Sequence, residues 1–327
     1  MNSSKKKVEK KGDKSSAVSL FSFKPTSEFK PSSIYHLIFN TKEPELAVRQ
    51  FPSQLLYIAV KERGLVDSTE LIEIMSDAQL KALLAMDLWE KERFNVSKIW
   101  QWLSLPEASG DLKILQKILR VLDLKIISLL IAKYTEVLYY DEPTDAPPAE
   151  GFITPDKGRT WIRVNTSSAE NDFYLSRLLA LLHETSSNVY YQLLMVPQVA
   201  TFSMIEEEAL KERNRVLSEI GFPDEELSKE LNTPLPLERF LRENKEFLTA
   251  SQKEIDLLNL KKKDATLEAF KGGSATPLSL LREMVRNLED IYEEQTLLVN
   301  AALLYTGEEL WDYKNILKTF KSVTGLI

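Results

Sequence analysis

The chain has 327 residues, of which 43% are hydrophobic, 28% charged and 9% aromatic, so it is long enough to bury the core of one or two domains. It contains no cysteine, which excludes a disulfide framework, a thiolate zinc site, an iron–sulfur cluster and a cysteine nucleophile. The formal net charge of −7 argues against a protein that coats nucleic acid with its whole surface. The lack of cysteine suits a reducing compartment, and we expect a cytoplasmic protein.

The first 19 residues differ in composition from the rest of the chain. Six lysines stand there against Glu9 and Asp13, a net charge of +4, which leaves −11 for the remainder. Because few apolar side chains accompany these lysines, we expect a disordered basic tail and no secretory signal. No later stretch reaches the ~20 apolar residues of a membrane helix. The tail is either a docking segment for nucleic acid or an anionic lipid surface, or a solubilising leader.

Between residues 44 and 134 the sequence predicts three degenerate units, each made of a short helix, a corner and a second amphipathic helix. Ser76 and Gln79 have the spacing of a capping box at the start of one second helix. Units of this kind cannot bury their apolar faces alone, so we expect them to stack into a helical array. The corners fall at Phe51, Met75 and Leu122, and the residues expected to start the following helices are Pro52, Ser76 and Asp123.

Residues 135–166 are predicted to form a small β-hairpin insertion. Prolines in this stretch forbid a helix, and Trp161–Val164 alternate as in a strand. Pro155–Gly158 is a good turn sequence that would join Phe152 and Ile153 to this strand. The β-favouring segment around Tyr139 is then expected as a third strand.

The remaining chain is helical in pattern apart from one polar linker. Heptad-like spacing on both sides of Gly307 predicts a helical hairpin at the C-terminus. We therefore predict a mainly α protein with stacked short helices in a repeat-like array, a small β-hairpin insertion and a C-terminal helical hairpin. The predicted divisions are a basic tail (1–19), a helical-repeat region (20–134), the β-hairpin insertion (135–166), a helical region (167–258), a polar linker (259–275) and the hairpin (276–327).

Three side chains are candidates for a binding role. Trp100 and Trp102 cannot face the same way on one helix, so one of them is expected to be partly exposed. It could stack on a ligand or bind a partner, but core or boundary packing is the favoured explanation. Arg213 lies between Ala209 and Val216 on the apolar side of a predicted helix. It either holds a phosphate or carboxylate ligand, or extends its head to the surface, or pairs internally, with Glu206 as one available carboxylate.

No motif assigns a catalytic activity. The two histidines, His36 and His183, do not form a metal-binding pattern, and the chain has no phosphate-binding loop, nucleophile elbow or dinucleotide fingerprint. His183 with Glu184 suits acid–base chemistry, but a histidine near a helix C-terminus is explained by the helix dipole. We therefore predict no cofactor and no metal, and we favour a protein without enzymatic activity.

Two runs of the sequence, Leu71–Phe94 and Ala209–Asp224, resemble the best-marked stretches of an uncharacterised, largely helical family of bacterial proteins, a domain of unknown function. The resemblance covers about residues 45–235 and implies a helical fold, but no activity, because none is established for the family. In the second run Arg213, Asn214 and Gly221–Phe222 match, whereas Leu210, Glu212 and Val216 stand where the family tends to carry an aromatic and further basic residues.

These observations favour a cytoplasmic helical-repeat interaction or scaffold protein that holds a protein partner on a stacked helical surface. One alternative is an adaptor or regulator that docks to nucleic acid or an anionic membrane through its basic tail. The other is an enzyme with an unrecognised carboxylate or arginine site, which a polar pocket around Arg213 or His183 would favour.

Overall fold

The computed structural model describes residues 32–166, 168–233, 242 and 288–324. The described chain is mainly α-helical with two small antiparallel strand pairs, which confirms the predicted fold class. The described residues up to Ile220 form one compact unit (unit 1), and those from Gly221 onward form a second (unit 2). The predicted basic tail and polar linker lie outside the described residues. Within the described segments, no helix is long and apolar enough to span a membrane.

Unit 1 consists of short helices interrupted by two strand pairs. The helices are α1 (Ser32–Phe39), α2 (Pro44–Val48), α3 (Ser53–Arg63), a 3-10 turn (Val66–Ser68), α4 (Thr69–Ile74), α5 (Asp77–Asp87), α6 (Val96–Leu103), α7 (Leu105–Ser109), α8 (Lys113–Val121), α9 (Leu124–Tyr134), α10 (Ala169–Thr185), α11 (Ser187–Val199) and α12 (Phe202–Ser218). The strands are β1 (Trp89–Glu90), β2 (Arg93–Phe94), β3 (Thr135–Tyr139) and β4 (Thr160–Val164).

The three predicted units of helix, corner and helix are present as the pairs α2/α3, α4/α5 and α8/α9. The capping box before α5 is confirmed, because the Ser76 hydroxyl accepts a bond from the backbone N–H of Gln79 and the Gln79 side chain accepts one from the backbone N–H of Ser76. Asp123 caps α9 by a single bond, because its side chain accepts from the backbone N–H of Lys125. Pro52 is the residue before α3 rather than its first residue. Whether the three pairs are repeats stays a prediction.

The Gln79 side chain also ties α5 to the unit before it. Its amide nitrogen donates to the carbonyl oxygens of Val48 (2.9 Å) and Phe51 (3.0 Å), so the end of α2 and its corner are held on the start of α5. A buried amide with all of these bonds fixes a geometry that apolar contacts alone would leave loose. Helix α5 is central to unit 1, because it packs against α3, α8 and α12.

A buried carboxylate joins α3, α5 and α6. Asp87 is 5% exposed and accepts hydrogen bonds from the indole nitrogen of Trp102 (2.8 Å), the hydroxyl of Tyr57 (3.2 Å) and the ammonium of Lys61 (3.0 Å). A charge in this position is stable only because it is both hydrogen-bonded and paired with a cation. The network therefore specifies how these three helices meet.

The strands differ from the prediction in their pairing. Strand β3 pairs directly with β4, from Thr135 opposite Val164 to Tyr139 opposite Thr160, across a connection of residues 140–159. Ile153 makes only an isolated bridge to Ile162, so the segment expected as the first strand of the hairpin is not one. The prolines prevent a continuous second ladder there. The short β1/β2 hairpin at residues 89–94 was not predicted.

The connection between β3 and β4 is closed by a tight approach of two backbones. Gly158 has φ +94°, and a Cβ there would lie 2.0 Å from the carbonyl oxygen of Thr144. Its N–H donates to the hydroxyl of Thr154 (2.8 Å), while Asp156 accepts from the N–H of Thr160 (2.7 Å). Only glycine fits this position, because it has neither the Cβ nor the penalty for a left-handed backbone.

Unit 2 is built on α13 (Glu225–Asn232), α14 (Leu288–Thr306) and α15 (Tyr313–Thr324), with α14 packed against both of the others. The hydroxyl of Ser228 donates to the carbonyl oxygen of Ala301 (2.7 Å), and the amide of Asn300 donates to that of Gly221 (3.0 Å). Helices α14 and α15 lie where the C-terminal hairpin was predicted, and the predicted helical start at residues 276–287 lies outside the described residues.

Candidate binding cleft

Helix α12 carries Arg213, a candidate binding residue from the sequence analysis that lines a cleft. Its apolar stripe of Ile205, Ala209, Val216 and Leu217 is buried where α12 packs on α5 and α9. Arg213 follows Ala209 by four residues, which is just over one helical turn, so it lies on the same buried face. Arg213 is therefore a cation at a position of α12 where the pattern of the buried face predicts an apolar residue.

The Arg213 side chain is 9% exposed and is held by two hydrogen bonds. Its Nε donates to the carbonyl oxygen of Ala85 in α5 (3.1 Å), and one terminal nitrogen donates to the side-chain oxygen of Asn214 (3.2 Å). A guanidinium has five N–H donors, which leaves three without an acceptor among the described residues. The guanidinium carbon also lies 5.7 Å from the centre of the Trp89 ring.

No carboxylate of the described chain lies within ion-pairing distance, 4.0 Å, of Arg213. Glu206, the partner that the sequence suggested, instead accepts a bond from the backbone N–H of Phe94 (3.1 Å). Burial therefore dominates the electrostatics of Arg213 and lowers its pKa from 12.5 to about 10, against a smaller opposing effect of the negative charge of Glu92. Among the described residues, the cation is thus desolvated with no carboxylate in direct contact and only the more distant charge of Glu92 in its favour.

The second cation of the cleft is already paired. The Lys81 ammonium lies 2.8 Å from a carboxylate oxygen of Glu212, which also accepts two bonds from Arg215. Hydrogen bonds from Arg215, and then the contact with Lys81, lower the pKa of Glu212 to about 2 despite partial burial. Glu212 is thus fully committed to these two cations and does not serve Arg213.

Asp123 adds an incompletely used carboxylate. One of its oxygens caps α9, while the other, Oδ2, is buried and has no hydrogen-bond partner within the described ranges. Burial raises the pKa of Asp123, and the backbone hydrogen bond from Lys125 opposes this effect. The sequence identified Asp123 as a helix cap and missed its position in the cleft.

The cleft itself is a shallow depression between α5, α9 and α12 that is open to solvent. Nine of its thirteen lining residues are apolar, and the four others are Lys81, Asp123, Glu212 and Arg213. A concave apolar surface with a few convergent charged groups is the usual form of a ligand site. The walls therefore offer a cation and apolar contact, the two features with which a site could hold and orient an anionic group.

The two tryptophan candidates lie elsewhere. Trp102 is 1% exposed and hydrogen-bonded to Asp87, so it is part of the core. Trp100 is half-buried and packs against Tyr134 with ring centres 5.5 Å apart. Neither lines the cleft. His183 lies in the last turn of α10, as expected for a histidine favoured by the helix dipole, and packs edge-on against Tyr190 at 4.9 Å.

The comparisons with known proteins identify the family. Residues 26–327 match the sequence profile described as "Family of unknown function (DUF6178)". The chain belongs to this family. The resemblance found in the sequence is therefore confirmed, and the DUF6178 match extends well beyond residues 45–235 at the C-terminal side. Neither the curated proteins nor the solved structures give a significant match to the chain.

Membership of DUF6178 brings no activity with it, so the site must be interpreted from its own chemistry. Among the residues that the structure describes, no three acidic or histidine side chains are grouped as a metal site. Sequence reasoning singled out Arg213 but missed Lys81 and Trp89 as its neighbours in the cleft. Those two come from α5 and β1, and only the packing of α12 on α5 brings them to the arginine.

Proposed function

We propose that this DUF6178 protein is a non-catalytic interaction protein of the cytoplasm, and that it binds a partner protein by receiving an anionic group of that partner in the cleft at Arg213. The observation that carries the proposal is a guanidinium 9% exposed, with three unused N–H donors and no carboxylate within 4.0 Å in the described chain.

An isolated buried charge is costly, since desolvation removes several kcal/mol of hydration that no counter-ion replaces. A protein that keeps such a charge at an open cleft gains from it only when an anion arrives. The bound anion would use the free donors of Arg213 in charge-assisted hydrogen bonds, which are about twice as strong as neutral ones. Recognition of a partner's anionic group would explain both the opening to solvent and the lack of a carboxylate partner for Arg213 in the described part of the chain.

The test compares capture of a partner from lysate of the source cell by the full chain and by two variants. Arg213→Met removes the cation and keeps a side chain of similar length. Lys211→Gln is the matched control, because it removes one positive charge from an exposed site of the same helix, where the lysine pairs with its helix neighbours Glu207 and Glu208. Circular dichroism checks that both variants keep their helices.

We expect the unaltered chain and Lys211→Gln to retain the same amount of the same partner protein at high salt. Arg213→Met should retain at least ten times less of it. Equal retention by all three forms would contradict the proposal. A form without residues 1–19 tests the alternative of docking through the basic tail. If only the intact chain captures material, and raised salt releases it, the tail is the functional element and the interaction is electrostatic.

A further inference from the structure

We propose that the group received at Arg213 is a monocarboxylate attached to an apolar body. Two sources share this chemistry: the C-terminal carboxylate of a polypeptide that ends in an apolar residue, and a free aliphatic or aromatic acid. The inference rests on the proposed function and deepens it, because it names the chemical class that the cleft selects.

The donor geometry of Arg213 suits a carboxylate. The bond from Nε to Ala85 holds one edge of the guanidinium, and the bond to Asn214 uses one donor of a terminal nitrogen. The donors that remain are on the two terminal nitrogens, where two parallel N–H groups match the two oxygens of a planar carboxylate. Lysine would offer only a point charge at this position.

The charge of the lining limits the ligand to one negative charge. Lys81 and Glu212 form an ion pair at 2.8 Å and offset each other, so Arg213 is the cation of the lining that has no carboxylate partner among the residues the structure describes. Asp123 contributes a further carboxyl group to the same walls. With that pair offset, a ligand meets one available cation, Arg213, and the carboxyl group of Asp123. A single carboxylate matches the one cation, whereas the second negative charge of a dianion such as phosphate has no further cation to meet in this lining and is opposed by Asp123.

The other walls call for an apolar body next to the carboxylate. The apolar walls come from Leu84 of α5 with Leu88 just after that helix, from Ile126 of α9 and from Val216 of α12. The Trp89 ring lies beside the guanidinium. A small polar anion such as acetate would leave these surfaces in contact with water. A body of about four to six carbons lying along the open side of the cleft would cover them.

The experiment titrates the full chain with defined probes by isothermal calorimetry at pH 7 and constant ionic strength. The probes are sodium hexanoate, sodium benzoate, sodium acetate, inorganic phosphate, and a peptide ending in leucine as the free acid and as the amide. Arg213→Met and Lys211→Gln are titrated alongside. Trp89 lies at the site, so quenching of tryptophan fluorescence provides a second readout.

We expect saturable binding of hexanoate or benzoate at least tenfold tighter than acetate, because each buried methylene adds about 0.8 kcal/mol, or a factor of about four. Phosphate should not saturate, Arg213→Met should lose the binding, and Lys211→Gln should keep it. Tighter binding of the free-acid peptide than of hexanoate, with none for the amide, assigns the polypeptide source. The reverse order of peptide and hexanoate assigns the free acid.

Three results would overturn the inference: phosphate binding tighter than hexanoate, hexanoate binding equally to Arg213→Met, or no saturable carboxylate binding. The proposed function is judged separately by partner capture. If capture depends on Arg213 while no monocarboxylate binds, the inference fails and the function stands. If monocarboxylates bind but capture does not depend on Arg213, the inference stands and the function fails.

Discussion

Replacing Arg213 with methionine should leave the protein as stable as before, or more stable, although it removes a buried side chain with two hydrogen bonds. Burial lowers the arginine pKa from 12.5 to about 10. A pKa difference of one corresponds to 1.36 kcal/mol, so the charged form costs the folded state about 3 kcal/mol. Methionine has no charge to desolvate, and its unbranched side chain fills the space of the arginine stem.

The substitution also removes the two hydrogen bonds that Arg213 donates, which offsets part of the gain in unfolding free energy. The carbonyl oxygen of Ala85 and the side-chain oxygen of Asn214 each lose a bond that contributes about 1 kcal/mol. The balance is about 1 kcal/mol in favour of the methionine variant. Buried ionic groups replaced by apolar residues of similar volume show the same behaviour in other proteins.

Urea unfolding of both forms, followed by far-ultraviolet circular dichroism and fitted with a common slope, measures the difference. A loss of more than about 2 kcal/mol of unfolding free energy in Arg213→Met would refute the reasoning, because the arginine would then stabilise the fold.

The direction of the pKa shift of Arg213 also predicts how the stability difference changes with pH. Since the folded-state pKa of Arg213 is the lower one, its penalty is complete below about pH 10 and shrinks as the pH rises from there towards 12.5. The advantage of methionine should shrink over the same interval.

Two further substitutions test the structural framework. Gly158→Ala should destabilise unit 1 by more than about 3 kcal/mol in thermal unfolding, because the new Cβ would lie 2.0 Å from the carbonyl oxygen of Thr144. Gly110→Ala is its control, because Gly110 also has a positive φ, +70°, but its new Cβ would meet no atom of the described residues within 4 Å apart from its chain neighbours. We expect this control to lose about 1 kcal/mol of unfolding free energy. Equal losses in the two variants would contradict the argument from close approach. Asp87→Asn removes the negative charge 3.0 Å from Lys61 and should cost about 2 kcal/mol with a change in tryptophan emission. An unchanged urea midpoint would show that the buried network contributes no stability.

The sequence predicted where Arg213 lies on its helix, but it did not predict which residues surround it in the cleft. Helical periodicity placed Arg213 on the buried face of α12, because that depends on spacing along one helix. The identity of its partner depends on which elements pack beside it. Glu206 was a reasonable partner by spacing, yet it caps the N–H of Phe94 instead. Lys81 and Trp89 reach the cleft from parts of the chain more than 120 residues away, which no local pattern reports.

The sequence by itself determined the mainly α fold, the corners of the three helix pairs and the caps at Ser76 and Asp123, since these depend on interactions between residues a few positions apart. Only the tertiary structure decided that β3 pairs with β4 across twenty intervening residues. It also decided that Arg213 has no carboxylate partner in the described chain. Strand pairing and the solvation of a charge depend on neighbours distant in sequence, so they are settled only when the chain packs.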